Sequence, residues 1–410
     1  MINNALKNRF LKYISFDTQS DESSKTIPST SKQKELGKFL KNELNNLGLT
    51  NAFIDEFGYV YAYLESNCHS DKTIGLISHM DTSDEASGAN VKPVIIENYQ
   101  GQIINVNKEL GVILNPSEFP YLLKQLGHEL ITTDGTTLLG ADDKAGIAII
   151  MTAIDELIKG KIDYPNIIIT FTPDEEIGRG TDKFNYDFYK EHNCSIAYTI
   201  DGGEPNYINY ENFNAASAII TINGKSIHPG SAKGKMINSQ LIAMEFNSLL
   251  PSNMLPSLTD GYEGFNHLTS IEGTVSKTTM SYIIRNHDMN KFNQQKELFL
   301  FATDFLNKKY GANTVNTQIN DSYYNMKDLV LTNKDILTKV EDALKENGLE
   351  PVYDPIRGGT DGARLTYSGI LTPNLGTGGQ NYHGPFEYLD VDEASTMVNV
   401  VKSLAHNFLK

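Results

Sequence analysis

Four short apolar segments of this chain each lead into histidine or acidic side chains, and no other feature of the sequence limits the fold as strongly. The segments, each with the polar residues that follow it, are Thr73–Ser78 with His79 and Asp81, Ile167–Phe171 with Asp174, Glu175 and Glu176, Ile196–Ile200 with Asp201, and a stretch near Gly369–Leu375 with His383. Short, continuously apolar strands are typical of a sheet that is covered on both faces. Because ligands bind beyond the carboxyl ends of the strands in open α/β sheets, the four polar groups are expected to meet in one crevice.

The rest of the chain alternates between β-branched runs and helical periodicities, which indicates the α/β class. Apolar residues recur at helical spacing from Leu36 to Leu47, with Gly48 where a C-terminal cap is expected. Similar periodicities predict helices around Ile336–Leu344 and Met397–Phe408. With 410 residues the chain is too long for one compact core, so two domains are expected.

The middle of the chain predicts a separate α+β domain. Its six elements are a strand at Ala215–Ile227, a helix at Asn238–Leu250, strands at His267–Val275 and Thr279–Asn286, a helix at Lys291–Lys308 and a strand at Thr314–Ile319. This order, βαββαβ, is the ferredoxin-like arrangement. We therefore expect an inserted domain at residues 207–319, and a discontinuous domain of residues 1–206 and 320–410 that carries the polar strand ends.

Charge and cysteine content argue against several classes of protein. The formal net charge is −16, and such an acidic surface repels phosphate backbones and anionic lipids, so neither a nucleic acid nor a membrane is expected as a partner. No run approaches the roughly 20 apolar residues of a membrane span, and the N-terminus lacks the apolar core of a signal peptide. Only two cysteines occur, Cys68 and Cys194, which fits a reducing compartment. The expected location is the cytoplasm.

The first polar groups each have a purely structural alternative. His79 and Asp81 could be a strand-end histidine and a solvated acid. A metal-bound histidine often donates its second ring N–H to a carboxylate, but a spacing of two residues allows this only if the backbone bends, so Asp81 could act indirectly. Asp142 and Asp143, in LLGADDKAG, could serve as the N-cap of the helix predicted at Ala145–Ile158.

The remaining groups are also ambiguous when each is taken alone. Asp174–Glu176 could be an exposed acidic loop, although adjacent carboxylates at a buried edge repel one another and favour a bound cation. Asp201 and His383 could be ordinary structural residues. Together, however, the strand ends supply two histidines and several carboxylates. Zinc accepts nitrogen and oxygen ligands, and hydrolytic sites often hold two metal ions about 3.5–4 Å apart, so a two-metal hydrolase is favoured.

Eight motifs occur in order along the chain: SHMDT, LLGADDKAGIA, FTPDEEIGRG, YTIDGG, IHPGSAKGKMIN, SYIIRNHD, RGGTDGARL and NYHGPFE. In this order they resemble the motifs of the aminoacylase-like, carboxypeptidase-G-like family of zinc peptidases, over the whole chain. IHPGSAKG and RGGTDGA point to the branch that removes the N-terminal residue of tripeptides. The resemblance implies a metallo-aminopeptidase with two Zn²⁺ per chain, a mixed sheet covered by helices, and an inserted ferredoxin-like domain for closure or dimerisation.

The resemblance also implies a role for each site residue. Five side chains are implied metal ligands: His79 and Asp201 for one zinc ion, Glu176 and His383 for the other, and Asp142 as the bridge between them. Asp81 is implied to support His79, and Glu175 to act as the general base. His228, in the inserted domain, is implied to contact the scissile carbonyl or its oxyanion, and in related dimers this residue comes from the partner subunit.

A preference for tripeptides requires an anchor for the C-terminal carboxylate of the substrate. Arg285 and Arg357 are the candidates, because the planar guanidinium group holds a carboxylate with two parallel hydrogen bonds. The structural alternative is that Arg285 pairs with Asp288, and Arg357 with Asp361.

Three functions are compatible with these motifs. The favoured function is a tripeptide aminopeptidase whose partner is a short peptide, with a homodimer as a possible assembly. The second is a related amide hydrolase, such as a dipeptidase or an N-acyl amino-acid deacylase. Because the first function needs a free substrate amine, N-acetylation of the peptide should discriminate between them. The third is a catalytically inactive protein that binds zinc or peptides, against which the intact Glu175 and the complete apparent ligand set argue.

Overall fold

The computed structural model of the chain describes residues 2–410, which divide into two compact units. The first unit contains the described residues up to Tyr210 together with Asp328–Asp354 and Thr360–Lys410, and the second contains Glu211–Lys327 with Pro355–Gly359. The second unit is therefore inserted into the first in the order of the chain.

Helices and strands are mixed along the whole chain. Up to Tyr210 the elements are α1 (Asn4–Tyr13), α2 (Gln33–Asn46), β1 (Phe53–Ile54), β2 (Val60–Leu64), β3 (Thr73–His79), β4 (Val94–Ile96), β5 (Ile104–Asn107), β6 (Val112–Leu114), β7 (Leu130–Thr132), α3 (Ala141–Lys159), β8 (Asn166–Thr172), α4 (Tyr186–Glu191), β9 (Ala197–Gly202) and β10 (Tyr207–Asn209). The inserted segment contains β11 (Asn214–Asn223), α5 (Ser239–Ser248), β12 (Phe265–Gly273), β13 (Lys277–Asn286), α6 (Met289–Tyr310) and β14 (Val315–Tyr323). The chain continues with α7 (Lys327–Val330), α8 (Asp335–Glu346), β15 (Val352–Tyr353), α9 (Asp361–Tyr367), β16 (Asn374–Gly376), β17 (Gly379–Gln380), β18 (Tyr388–Asp390) and α10 (Val391–Asn407).

The first unit is built on an eight-stranded mixed sheet with the order β1-β2-β8-β3-β9-β16-β10-β15. The central strands β8, β3, β9 and β16 are parallel, whereas β2 runs antiparallel to β8 and β10 antiparallel to β16. Every residue of β3 and β8 is buried, as expected for strands that are covered on both faces. The predicted α/β class with a mixed sheet is confirmed.

Helix α3 packs against β3 and β9 and brings its first turn close to the sheet. The helix is almost entirely buried, because its sequence between Ala145 and Leu157 is nearly continuously apolar. A Cβ atom at Gly146 would overlap the carbonyl oxygen of Ile200 in β9, so only glycine allows this approach. The N-terminal end of α3 is therefore held beside the end of β9, where Asp201 lies.

The second unit is a four-stranded antiparallel sheet with the order β12-β13-β11-β14, covered by α5 and α6. Alternate residues of β11, including Ile220 and Ile222, pack into a core with Phe246 of α5 and Phe299 of α6. The element order and the strand order are those of the predicted ferredoxin-like fold.

The borders of the inserted unit differ from the predicted 207–319. The unit begins at Glu211, because Tyr207–Asn209 forms β10 in the large sheet of the first unit. It extends to Lys327 because β14 continues to Tyr323, and it also takes in Pro355–Gly359.

Two further differences concern the C-terminal part of the first unit. The strand predicted near Gly369–Leu375 is β16, and it starts only at Asn374, since Gly369 has a positive φ of 96° just after α9 and Pro373 precedes the strand. His383 was expected to follow this strand of the large sheet, but its segment is carried by a smaller sheet with the order β17-β18-β7-β4.

Among residues 2–410 no helix combines the length and the apolar character needed to cross a membrane.

Candidate active site

Three neighbouring parallel strands of the first unit end at the same edge of the sheet, and their ends carry the predicted ligands. His79 is the last residue of β3 and is paired in register with Thr172, the last residue of β8. Glu175 and Glu176 follow β8, and Asp201 lies in β9 on the other side of β3. The arrangement of the strands thus brings these side chains to one edge of the sheet.

Asp142 lies between the two histidines. Its Oδ1 is 2.8 Å from Nε2 of His79, and its Oδ2 is 3.4 Å from Nε2 of His383. Each histidine also faces a second carboxylate: Asp201 Oδ1 is 3.5 Å from His79 Nε2, and Glu176 Oε2 is 2.9 Å from His383 Nε2. The five side chains thus form two histidine–carboxylate pairs that share one carboxylate.

The two adjacent aspartates at the start of α3 have separate roles. Asp142 and Asp143 both have non-helical backbone angles. Oδ1 of Asp143 accepts a hydrogen bond from the N–H of Gly146, three residues later, as an N-cap side chain does, and its Oδ2 accepts one from the N–H of His79. The sequence alone left capping and ligation open for the pair, whereas the structure assigns capping to Asp143 and leaves Asp142 facing the histidines.

The chemistry of these donors suits divalent metal ions. The ligand atoms of His79, Asp142 and Glu176 lie within 4.8 Å of one another, and so do those of His79, Glu175 and Asp201. Oε1 of Glu176 is buried and has no hydrogen-bond partner among residues 2–410. A buried carboxylate oxygen without a partner is costly, and a cation would satisfy it.

Electrostatics support the same interpretation. Burial and the nearby charge of Asp142 raise the pKa of Glu176 to about 7, and burial raises the pKa of Asp201 to about 6. Burial and the charge of Asp361 raise the pKa of Glu175 well above its ordinary value. Hydrogen bonds to Asp142 and Glu176 raise the pKa of His383 to about 11. Negative charge is therefore crowded in this site, and bound cations would offset it.

Asp81 supports both the histidine and the glutamates. Its backbone oxygen lies 3.0 Å from Nδ1 of His79, and its carboxylate Oδ1 lies 3.4 Å from the same atom. The two carboxylate oxygens accept the backbone N–H groups of Glu175 and Glu176 at 2.9 and 3.2 Å. Asp81 thus fixes the orientation of the His79 ring and the backbone of the turn that carries both glutamates.

Two further buried acids lie close to the site, and the sequence had suggested a catalytic or ligand role for neither. Asp361, in RGGTDGA, accepts a hydrogen bond from the hydroxyl of Thr172 at 3.1 Å, and burial raises its pKa to about 7. Glu387, in NYHGPFE, accepts three backbone N–H groups from the loop before and at Asp142. Both stand in the motifs that carry the family resemblance, which was the only available signal.

The three remaining predicted residues belong to the second unit. His228 is exposed, and its Nδ1 accepts the N–H of Gly230. Arg285 donates from Nη1 to the carbonyl oxygens of Ala216 and Ile284, and its guanidinium group lies over the ring of Tyr323 at 5.3 Å. Within residues 2–410 its Nε and Nη2 make no hydrogen bond. The predicted roles of these residues stay predictions.

Arg357 is engaged with one loop of its own unit. Its Nη1 donates to the carbonyl oxygens of Gly261 and Glu263, at 2.7 and 2.8 Å. Its Nη2 donates to the carbonyl and hydroxyl oxygens of Thr259. Both terminal nitrogens are thus used to hold the loop at residues 259–263.

The chain is similar in sequence to known peptidases. The model of peptidase family M20/M25/M40 matches residues 131–407. Peptidase T of Clostridium acetobutylicum is 51% identical over 395 residues, which is 96% of each chain.

Solved structures agree with the fold. The aminopeptidase PepT of Bacillus cereus superposes with a TM-score of 0.79 at 22% identity and covers 100% of both chains. A dinuclear metal binding peptidase of the M20 family from Bacillus subtilis superposes with a TM-score of 0.65 at 15% identity, covering 98% of this chain and 96% of the other.

Proposed function

The chain belongs to peptidase family M20/M25/M40, and we propose that it is a tripeptide aminopeptidase with two zinc ions. The observation that carries the metal centre is the position of Asp142, whose two oxygens face one histidine each. The motif resemblance and the identity to Peptidase T support the aminopeptidase activity. Metallopeptidase chemistry requires such nitrogen and oxygen donors at a site that also contains a base.

The proposed ligands are Asp142 and the four side chains that meet around it. His79 and Asp201 would hold one ion, Glu176 and His383 the other, and Asp142 both. When bound, zinc ions lower the pKa of water toward about 7 and polarise a carbonyl oxygen.

The residues of the chain supply the proton transfers and the orientation. Glu175 takes the proton of the attacking water and delivers it to the nitrogen of the leaving amine. Asp81 holds the backbone of Glu175 in place through the hydrogen bond at 2.9 Å. His228 is proposed to donate a hydrogen bond to the carbonyl oxygen as negative charge develops on it, either from the same chain or from the partner in a homodimer.

The cytoplasm is the proposed location. Both Cys68 and Cys194 are free thiols, which fits a reducing compartment.

We propose Arg285 as the anchor for the C-terminal carboxylate of the substrate. Its Nε and Nη2 form the edge of the guanidinium group that binds a carboxylate through two parallel hydrogen bonds. Both terminal nitrogens of Arg357 are already used within the loop it holds, so that residue is the weaker candidate. An extended peptide advances at most about 3.3–3.6 Å per residue, so one residue more or less moves the carboxylate by that distance.

A panel of peptides tests the proposed activity. Di-, tri- and tetrapeptides of one residue type are compared by kcat/KM, together with the tripeptide N-acetylated or C-terminally amidated. The unmodified tripeptide should be cleaved at least about tenfold faster than the others, because a hydrogen bond to a charged group is worth about 1.5–3 kcal/mol and each 1.36 kcal/mol is a factor of ten.

The same panel separates the alternatives. Faster cleavage of the N-acetylated peptide would indicate a deacylase, and a preference for the dipeptide would indicate a dipeptidase. No hydrolysis of any peptide by zinc-loaded protein would indicate an inactive binding protein.

Replacement of Arg285 by alanine tests the carboxylate anchor. The KM for the tripeptide should rise by about 10–100-fold, and the amidated tripeptide should be cleaved almost as well as the free acid, because the bidentate contact is lost. Arg285→Lys is the matched control: it keeps the charge but loses the planar fork, so an intermediate KM is expected. If Arg285→Ala still discriminates fully between acid and amide, another group binds the carboxylate.

A further inference from the structure

Glu387 connects the two loops of the first unit that carry Asp142 and His383. Its Oε2 accepts the N–H groups of Leu139 and Gly140 at 2.6 and 2.9 Å, and its Oε1 accepts the N–H of Asp142 at 3.1 Å. The residue is 1% exposed, so water does not compete for these donors. One carboxylate thus fixes the backbone just before and at Asp142.

The backbone of Glu387 is tied to the other loop. Its N–H donates to the carbonyl oxygen of Gly384, the residue after His383. The next residue, Tyr388, begins β18 and is paired with Thr132 of β7. Glu387 therefore directly precedes a strand of the smaller sheet, and it makes hydrogen bonds to both loops. A rigid support of this kind keeps metal ligands in their geometry.

We propose that Glu387 is a positioning residue for the metal centre, which sets the carboxylate of Asp142 relative to the ring of His383. This inference rests on the proposed two-zinc function. The three N–H donors require acceptors on both oxygens. Glutamine has the same shape, but its NH₂ group would face at least one N–H donor and leave it unpaired.

Zinc affinity measures this role directly. Purified wild-type protein and Glu387→Gln are titrated against a zinc chelator, and the dissociation constants for both ions are compared. Glu387→Gln should bind zinc about 10–100-fold more weakly, the usual effect of removing a group that orients metal ligands. At saturating zinc, the kcat of Glu387→Gln should return to a large part of the wild-type value.

Glu43→Gln is the matched control. Glu43 is also a glutamate of the first unit with both oxygens hydrogen-bonded, to Arg9 Nε and to the hydroxyl of Tyr13, each at 2.7 Å. It joins α1 and α2, so its replacement should lower the melting temperature and leave zinc affinity unchanged. A purely structural role of Glu387 would give the same pattern as this control.

A second variant covers the case in which Glu387→Gln does not fold. Glu387→Asp keeps the charge but shortens the side chain, so its oxygens cannot reach all three donors, and zinc affinity should again fall. If either folded variant binds zinc as tightly as the wild type, the inference is overturned. If the wild type itself binds fewer than two zinc ions, the proposed metal centre fails instead, and the two outcomes are distinct.

Discussion

Replacing Glu175 by glutamine is expected to lower kcat by roughly 10²–10⁴-fold while the protein keeps its bound metal. The range is the usual contribution of general acid–base catalysis, and glutamine preserves the shape of the side chain but cannot accept the proton. The N–H of residue 175 still donates to Asp81, so the turn should hold its conformation. Steady-state kinetics and elemental analysis of the same preparation measure both quantities.

Loss of metal from Glu175→Gln would contradict this assignment. Glu175 would then be a ligand. Its position allows this, because its carboxylate lies within 4.8 Å of ligand atoms of His79 and Asp201. The roles of Glu175 and Glu176 would have to be exchanged.

The same variant also tests His228: if that residue acts across a dimer, mixing Glu175→Gln chains with His228→Ala chains should restore part of the activity after subunit exchange.

Replacing Asp142 by asparagine should remove activity and weaken the binding of both zinc ions together. An asparagine amide nitrogen would face one of the two histidines in place of a carboxylate oxygen. Metal ions contribute several kcal/mol to stabilising the charge of the transition state, so kcat/KM is expected to fall by about three orders of magnitude or more. Zinc content after gel filtration and kcat/KM measure the effect.

Asp155→Asn is the matched control for Asp142→Asn. It removes the same charge from the same helix, but the carboxylate of Asp155 pairs with Arg9 at 3.1 Å and with Lys159 at 2.6 Å instead of with a proposed metal ligand. Zinc content should stay near that of the wild type. Release of only one zinc ion from Asp142→Asn would show that Asp142 is not shared between two ions.

The meeting of the ligands could be predicted from the sequence because it follows from general geometry. His79, Glu176 and Asp201 come at the ends of parallel strands, and such ends lie at one edge of a sheet. The ferredoxin-like unit was also predictable, since its six elements are local and follow one another closely. The specific role of each ligand came from the family resemblance.

Other features depend on contacts between distant parts of the chain. The three residues of β10 belong to the large sheet because Ile208 pairs with Leu375, a pairing that no local pattern reveals. The division of roles between Asp142 and Asp143 depends on backbone angles at the start of α3, where two adjacent acids look equivalent in sequence. Glu387 binds backbone N–H groups, which leaves no spacing signature.

The order of the strands in the large sheet has a consequence for synthesis on the ribosome. In the sequence, the inserted unit separates β9 and β10 from β16, although β16 lies between those two strands in the sheet. His383 comes after β16 in the chain. A nascent chain therefore displays four of the proposed ligands long before the fifth, and domains fold in the order in which they emerge. The inserted unit has its own core and could fold in this interval. Chains that end before His383 would therefore lack one of the five proposed ligands, so products of translation interrupted before that point would carry no complete hydrolytic centre.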